Sequence, residues 1–518
     1  MAELADLDYF TDHSILRDPY AYFEALRERG PVYRNAETGM VTITGFQEAV
    51  AVLNDPKTWS SLISTTGAGK ALPFTPEGSD INDQLEANRD KFMGGDLVVT
   101  YDDKPHAMSR SLLNKLFVPS RLKANEQFIA DYSDELVRNA VANGGAELIK
   151  TIATPFVTLV VADLLGVPAD DRQLFMEAIE NAPPPGNLDD VDYPMELHPL
   201  FVMGQYFAGY VADRRANPRE DVLTELSLAT FPDGTMPDAM EIVRLATFLF
   251  GAGQDTSAKL LGNAMRFLVD QPGLQDQLRA EPSLIPAFLE EVLRLEGSTK
   301  MTSRIARKDT SVAGIDMPAG TRVMIALSAA NRDPRRWEDP QAFQLDRPRI
   351  KEHVGFGRGA HVCIGAPLAR VEVRVILEKF LEHTSKIDFV AEKHGPPGAR
   401  KLDYEPSFII RGLAECYLTL EPAKDFKGAV EQSAIVVAPS ASAAPAGHST
   451  AASTIGTLLG NPATLAVIDK HFPGVSTDPR IGMGKAMTFR AVQAFAPDLF
   501  SVAALDAADA DLAALPAV

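Results

Sequence analysis

The segment GFGRGAHVCIGAPLAR, residues 355–370, constrains the fold more than any other part of the chain. It holds one of only two cysteines in 518 residues, set among glycines and followed directly by a helical pattern. N–H groups at a helix N-terminus stabilise a thiolate. Gly357, Gly359 and Gly365 permit positive φ and close approach of the backbone to something flat and large. Cys363 is thus a nucleophile, a soft metal ligand or a small core residue.

Composition narrows the class of protein. A net charge of -20 argues against nucleic acid or an anionic membrane as the main partner. Two cysteines cannot form a disulfide framework, which is typical of a reducing compartment. The N-terminus MAELADLDYF lacks the basic start and apolar run of a secretory signal, and no uncharged apolar stretch is long enough to span a membrane. We therefore expect a cytoplasmic protein.

The chain changes character near residue 426. Before it, helical patterns dominate from 106 to 300, and two stretches have β-rich patterns, TSVAGIDMPAGTRVMIAL and SFIIRGLAECYLTL. This predicts a mainly α protein with small β-sheets (α+β), with one domain over residues 1–425. Residues 426–453 are rich in Ala, Pro and Ser and predict a linker. Residues 454–518 predict a small helical segment, either a dispensable addition or a module that docks a partner or a second subunit.

The cysteine loop resembles the haem-binding loop of cytochrome P450 enzymes, a Phe-Gly-x-Gly-x-His-x-Cys-x-Gly pattern. The matching residues are Phe356, Gly357, Gly359, His361, Cys363 and Gly365. The resemblance implies that Cys363 ligates the iron of haem b, and a thiolate ligand favours O–O cleavage. It also implies that Phe356 packs on the sulfur side and that His361 hydrogen-bonds a haem propionate. The implied fold is a helix-rich prism that encloses the haem between a long central helix and the cysteine-ligand helix.

The resemblance extends over residues 10–422. In EIVRLATFLFGAGQDTSAKLLGNAMRFLV, small residues before a threonine predict a local distortion of the central helix. The same string matches the family's Ala-Gly-x-(Asp/Glu)-Thr oxygen-activation motif. The match implies that Thr256 hydrogen-bonds dioxygen and that Asp255 relays protons toward it, which is general acid catalysis. Ala252, in the same motif, is expected to lie against the haem.

Further basic residues match the family's propionate partners. His106 and Arg110, in KPHAMSR, match a His-x-x-x-Arg pair on an early helix, and Arg304 matches a second propionate arginine. Cations here make physical sense because buried carboxylates must be paired.

A separate pair matches a structural element of the family. Glu291 and Arg294 correspond to the Glu-x-x-Arg element, and we expect Arg347 to complete this ion network. Ala342 stands where many relatives carry a third-partner arginine, so this chain departs from the pattern there.

The electron source follows from what the chain lacks. The segment after residue 453 has no cysteine for an iron–sulfur cluster and is too short for a dinucleotide-binding domain. The resemblance then implies a separate [2Fe-2S] ferredoxin and an NAD(P)H-dependent ferredoxin reductase. Arg110, Lys115 and Arg121 are the expected contacts of the ferredoxin on the cysteine side.

The expected substrate is a hydrophobic small molecule. Phe248 and Gly251 should face the pocket if the register of the central helix is right, and Phe408 is expected to form another wall. The long segment 61–100 is expected to close the pocket. Lys300 is expected either to anchor a substrate carboxylate or to face solvent.

The sequence thus favours a haem-thiolate monooxygenase, in which RH, O2, two electrons and two protons give ROH and water. Three alternatives remain open. A peroxide-driven enzyme is disfavoured by the Asp255–Thr256 pair, a non-catalytic haem sensor or carrier would have little use for that pair, and a cysteine hydrolase lacks a matching His–Asp order.

Overall fold

The computed structural model describes residues 4–172, 175–176, 199–430, 448–450, 453, 455–477, 488–490 and 500–515. They form two compact units. The first contains the described residues of 4–164 and 249–430, and the second those of 165–248 and of the chain after 447. The linker predicted for 426–453 lies largely outside the described residues.

Helices make up most of both units. Those before the central helix are α1 (His13–Arg17), α2 (Tyr20–Arg29), α3 (Phe46–Leu53), α4 (Asn82–Ala87), α5 (Asp103–Asn114), α6 (Pro119–Ala142), α7 (Thr154–Leu165), α8 (Pro199–Ala216) and α9 (Val222–Ser227). The central helix α10 (Ala239–Asp270) is followed by α11 (Leu274–Ala280), α12 (Ile285–Glu296), α13 (Leu327–Ala330), α14 (Ala366–His383) and α15 (Ala391–His394). The C-terminal helices are α16 (Ile455–Gly460), α17 (Pro462–His471) and α18 (Val502–Ala513).

The strands form three small sheets in the first unit. The largest has the order β1-β2-β8-β5-β3, with β1 (Val32–Arg34), β2 (Val41–Ile43), β3 (Trp59–Ser60), β5 (Thr302–Ala306) and β8 (Arg322–Ile325). The second has the order β4-β10-β9, with β4 (Gly145–Glu147), β9 (Thr384–Phe389) and β10 (Tyr417–Pro422). A hairpin pairs β6 (Thr310–Val312) with β7 (Ile315–Met317). All pairs are antiparallel except β2 with β8. The predicted α+β class is confirmed.

The five-stranded sheet is buried on both faces. Successive side chains of a strand point to opposite faces, and along β8 Val323 and Ile325 join one apolar cluster whereas Met324 joins the other. Arg304, on the neighbouring strand β5, is held by this buried sheet.

Buried ion pairs fix the segment that leads to the cysteine loop. The Glu291 carboxylate accepts from Arg294 Nη2 at 2.7 Å and from Arg347 Nε at 2.9 Å, and its side chain is fully buried. The expected completion of this network by Arg347 is confirmed. Ala342 contributes its backbone carbonyl, which accepts from Arg347 Nη2 at 2.7 Å and from Arg294 Nη2 at 3.1 Å. The backbone thus supplies an acceptor where many relatives have an arginine.

The C-terminal helices have an apolar cluster of their own. Phe472, Phe489 and Phe500 pack with ring centroids 5.3–5.6 Å apart. Asn461 is the N-cap of α17, since its side chain accepts from Ala463 N at 2.9 Å. Among the described helices of the chain, none is long and apolar enough to cross a membrane.

Replacing Glu291 by alanine should destabilise the protein by about 3 kcal/mol or more, because two buried guanidinium groups lose their counter-charge. Thermal unfolding at neutral pH measures this. The control is Asp276→Ala, which removes an ion pair whose carboxylate is 89% exposed and should change stability by less than about 0.5 kcal/mol. Equal unfolding midpoints for both variants would contradict the structural importance of the network.

Candidate active site

The cysteine loop is pinned at its start by α12. The Glu290 carboxylate contacts His353 Nε2 at 3.0 Å and accepts from Arg370 Nη2 at 3.1 Å. The Asn331 side chain accepts from Val354 N at 2.8 Å, immediately before the loop. The Arg370 guanidinium also lies 4.7 Å from the centroid of the Phe356 ring. These contacts hold both ends of the loop against the same helix.

Glycines shape the loop itself. Gly357 and Gly359 have φ of 69° and 71°, so the expected positive φ is found at both. A Cβ on Gly359 would lie 2.2 Å from the Leu53 carbonyl oxygen, which only glycine avoids. Gly365 has φ of -77°, so the positive φ that glycine permits is not used there. It caps α14 in a right-handed conformation, and its N–H donates to the Cys363 sulfur.

The Cys363 side chain is open to solvent, although protein surrounds it on several sides. Burial raises the pKa of the thiol above its ordinary value. The N–H groups of Gly365 and Ala366 and the charges of Arg110 and Arg370 act in the opposite direction. The helix N-terminus supports the thiolate as expected, but burial outweighs it until a metal binds, because a coordinating thiol is deprotonated.

The predicted propionate partners come together. The rings of His106 and His361 lie with their centroids 3.9 Å apart. Burial, together with the positive charges of Arg110 and Arg304, lowers the pKa of His106 to about 4 and that of His361 to about 2. Burial also lowers the pKa of Arg304 to about 10, with Asp102 opposing. Within the described residues, all charges that act on the two rings are positive, so the cluster has a deficit of negative charge.

This donor set fits haem b. Arg110 donates to the Val362 carbonyl, which places the basic cluster beside Cys363, a soft ligand suited to iron. Two propionates would supply the negative charge that the histidines and arginines lack. Gly357 adopts a positive φ in this loop and adds no side chain to it. His106, Arg110, Arg304 and His361 would hold the propionates, and Cys363 would hold the iron.

The central helix carries the other predicted group. The Thr256 hydroxyl donates to the Ala252 carbonyl at 2.9 Å, and the Ser298 hydroxyl donates to the Thr256 carbonyl at 2.6 Å. Ala252 is exposed in the middle of this long helix, and Gly251 is half-buried. The helix is continuous over Ala239–Asp270, so the expected distortion is not seen. Side-chain hydroxyls take up these carbonyls without interrupting the helix.

Burial raises the pKa of Asp255, and the charge of Lys259 opposes this. The Asp255 side chain is 38% exposed, so its carboxyl reaches solvent at one edge. A carboxyl that retains its proton more readily than usual and still meets water can carry protons inward.

Sequence reasoning missed Glu372, which lies on α14 nine residues after the cysteine. Its side chain is 1% exposed, and burial raises its pKa to about 8, with a hydrogen bond to Ser257 opposing. This bond connects the cysteine-ligand helix to the residue next to Thr256. Glu372 is four residues after Leu368 and three before Val375, both buried, and a glutamate on that inward face was the available signal.

The predicted pocket residues have different environments. Phe408 is half-buried and packs against Phe10 with centroids 5.5 Å apart, and its carbonyl accepts from the Tyr9 hydroxyl at 2.8 Å. Phe248 lies on α10 and is half-buried.

Lys300 requires a correction. It is 0% exposed, and its ammonium donates to the Leu16 carbonyl at 2.6 Å. It neither faces solvent nor has an ammonium available for a substrate carboxylate, because burial forces that group to find a partner inside the protein.

Comparisons with known proteins indicate the family of this chain. The family model for cytochrome P450 matches residues 210–385. Cytochrome P450 144 of Mycobacterium tuberculosis is 32% identical over 433 residues, 80% of this chain and 92% of that protein. Cytochrome P450 monooxygenase PikC of Streptomyces venezuelae is 30% identical over 403 residues, 76% and 89% of the two chains. The solved structure of substrate-free Mycobacterium marinum cytochrome P450 CYP150A6 has a TM-score of 0.76 and 46% identity, covering 81% of this chain and 100% of its own.

The protonation of Glu372 yields a prediction about stability. The folded carboxyl keeps its proton up to about pH 8, whereas the unfolded one ionises near its ordinary value of 4.5. The wild type should therefore lose stability relative to Glu372→Gln as the pH rises from 4.5 to 8, by up to about 4 kcal/mol. Thermal unfolding at pH 5 and pH 8 measures the difference. Glu382→Gln, at an exposed glutamate on the same helix, should show no such trend, and a pH-independent difference for Glu372→Gln would contradict a neutral buried carboxyl.

Proposed function

Because this chain belongs to the cytochrome P450 family, and is therefore a haem b monooxygenase, we propose that it hydroxylates a hydrophobic small molecule with electrons from a separate ferredoxin and ferredoxin reductase. The reaction converts RH, O2, two electrons and two protons to ROH and water. The observation that carries the proposal is the accessible thiol of Cys363, which lies beside the group formed by His106, His361, Arg110 and Arg304.

The residues of the cysteine side bind and orient the cofactor. Cys363 ligates the iron, and the N–H of Gly365 moderates the charge on the sulfur. His106 and His361 stay neutral at physiological pH because of burial and neighbouring arginines, so they act as hydrogen-bonding groups. Arg110 and Arg304 supply the charge that the propionates need. When bound, the haem supplies the redox chemistry that activates O2.

The residues of the central helix deliver protons. The Thr256 hydroxyl, held by the Ala252 carbonyl, donates a hydrogen bond toward the oxygen side of the site when it turns away from its own helix. Asp255 takes a proton from solvent at its exposed edge and passes it inward. Positioned groups of this kind contribute about 10²–10⁴-fold to a rate.

The proposed substrate is large or flat and apolar. Gly251 and Ala252 give the central helix little bulk at the reactive face, and Phe408 forms an apolar wall. Lys300 is removed from the pocket by its bond to Leu16, so we infer no carboxylate anchor there. Phe248 remains a predicted wall.

The proposed ferredoxin contact is the surface around the cysteine loop. Lys115 is exposed at the end of α5, the helix that carries Arg110, and Val362 is exposed next to Cys363. Positive charge next to an exposed apolar residue suits an acidic electron-transfer protein. The charge attracts the acidic partner, and the apolar residue is removed from water when the partner binds. Arg121, on α6, belongs to the same proposed surface.

Reduced protein treated with CO should have the red-shifted Soret band typical of thiolate ligation, and Cys363→Ser should lose it while haem remains bound. Turnover of a panel of hydrophobic compounds, with ferredoxin, reductase and NAD(P)H supplied, then tests the oxygenase. Product formation from peroxide alone, with none from the electron-transfer chain, would favour a peroxide-driven enzyme. An intact band with no turnover of any compound under either condition would favour a haem sensor.

Thr256→Ala should lower the yield of product per NAD(P)H consumed by at least about tenfold, with hydrogen peroxide released, because proton delivery is impaired. Assays of product and peroxide measure this partition. The control is Thr158→Ala on α7, where the hydroxyl makes the same kind of bond to a carbonyl four residues earlier, at 2.7 Å. Full coupling in Thr256→Ala would contradict the assigned role.

Lys115→Glu should raise the KM for ferredoxin several-fold at low salt and leave kcat nearly unchanged, because steering is electrostatic. Lys386→Glu, at an exposed lysine on β9, serves as the matched charge reversal. Equal effects of the two variants would place the ferredoxin elsewhere.

A further inference from the structure

A buried lysine on the central helix stands between two carboxylates. Lys259 is 4% exposed and lies one helical turn after Asp255. Its ammonium donates to Glu405, and it is 3.9 Å from Asp255 Oδ1. The favoured contact is with Glu405, since the distance to Asp255 is too long for a hydrogen bond.

The hairpin that carries Glu405 is shaped to receive the lysine. Tyr404 pairs with Leu413, and Glu405 N donates to the Gly412 carbonyl at 3.1 Å. A Cβ on Gly412 would lie 2.2 Å from Lys259 Cδ, so the stem of the lysine fills the place of a side chain. Phe408, proposed above as a pocket wall, lies between these paired ends. The partner of Lys259 and the substrate wall are therefore on one hairpin.

One oxygen atom of the Glu405 carboxyl group lacks a partner among the described residues. This atom, Oε2, is buried without a hydrogen-bond partner. Burial raises the pKa of Glu405, and Lys259 opposes this. Asp255 and Glu405 thus share the Lys259 ammonium, which stabilises the ionised form of each. The titration of one carboxyl group therefore depends on the other.

We propose that Lys259 is a positioning residue that sets the charge of Asp255, and that Glu405 competes with Asp255 for the same ammonium. The inference rests on the proposed role of Asp255 in proton delivery. A movement of the hairpin that loosens the Glu405–Lys259 contact turns the ammonium toward Asp255 and favours its ionised form. A hairpin that stays closed keeps the ammonium on Glu405 and favours the protonated form. Because Phe408 is on this hairpin, occupation of the pocket and proton supply become linked.

Few other charges bear on this competition. Among the described residues, Lys259 is the charged group that acts on Asp255, and Lys259 and Asp255 are those that act on Glu405. The three residues come from α10 and the hairpin alone. Removal of the Lys259 charge and removal of the Glu405 charge should therefore shift the ionisation of Asp255 in opposite directions.

The test uses holoenzyme variants and the pH dependence of coupled turnover. In the plot of turnover against pH, the alkaline limb, on which turnover falls as pH rises, reports loss of the proton from Asp255. Glu405→Gln removes the competing charge and should shift this limb down by about one pH unit, whereas Lys259→Met removes the cation and should shift it up by about one unit. Purely structural damage would lower turnover without opposite shifts. Lys379→Met and Glu382→Gln, an ion pair at 2.9 Å elsewhere, should leave the limb in place.

A second measurement does not depend on turnover. A double-mutant cycle of thermal unfolding with Asp255→Asn, Lys259→Met and their combination should be non-additive if the ammonium interacts with Asp255. Additive effects, or shifts of the limb in one direction for both Glu405→Gln and Lys259→Met, would overturn the inference. Full coupled turnover in Asp255→Asn would instead refute the proposed proton role, and the unfolding cycle would still decide whether Lys259 and Asp255 interact. The thiolate-type CO band of each variant verifies an intact haem site.

Discussion

The structure depends on one electrostatic constraint, which is that two arginines and two histidines that burial keeps neutral are gathered beside Cys363, where little negative charge acts on them. His106, His361, Arg110 and Arg304 lie together under burial that lowers the pKa of every one of them. A protein keeps such a cluster only when an anion stabilises it. Haem b held at this cluster, as we propose, would be part of the charge balance of the fold as well as the reagent of the chemistry.

Buried acids lie elsewhere in the scaffold and hold the cysteine loop. Glu290 and Glu291 are adjacent on α12, and each pairs with groups in the chain that leads into or out of the cysteine loop. His353 and Arg370 pull the pKa of Glu290 down to about 2 despite burial, so this acid stays charged at all ordinary pH values. These ion pairs hold the ends of the cysteine loop. The pKa of the Cys363 thiol is then lowered only by weaker interactions, with backbone N–H groups and with arginines.

The sequence allowed the fold class and the grouping of the basic residues to be predicted because each has a local motif or a composition signal, whereas Cys363 as the iron ligand remains a prediction from the cysteine loop. The positive φ that glycine permits is not used at Gly365, which has a right-handed conformation as a helix cap. The failures are equally physical. Lys300 was expected to meet substrate or solvent, but its partner Leu16 lies 284 residues away along the chain. The pairing of Lys259 with Glu405 joins residues 146 positions apart, and no local pattern announces such a contact.

The cation cluster has a consequence for how the chain is made. His106 and Arg110 leave the ribosome roughly 250 residues before His361 and Cys363, which at about 5–20 residues per second is on the order of ten to fifty seconds. During that interval the early half of the cluster exists without its later neighbours, its thiol or any way to hold a cofactor. Haem held by these residues, as we propose, would be captured only after Cys363 has been synthesised, so its supply would matter at the end of translation.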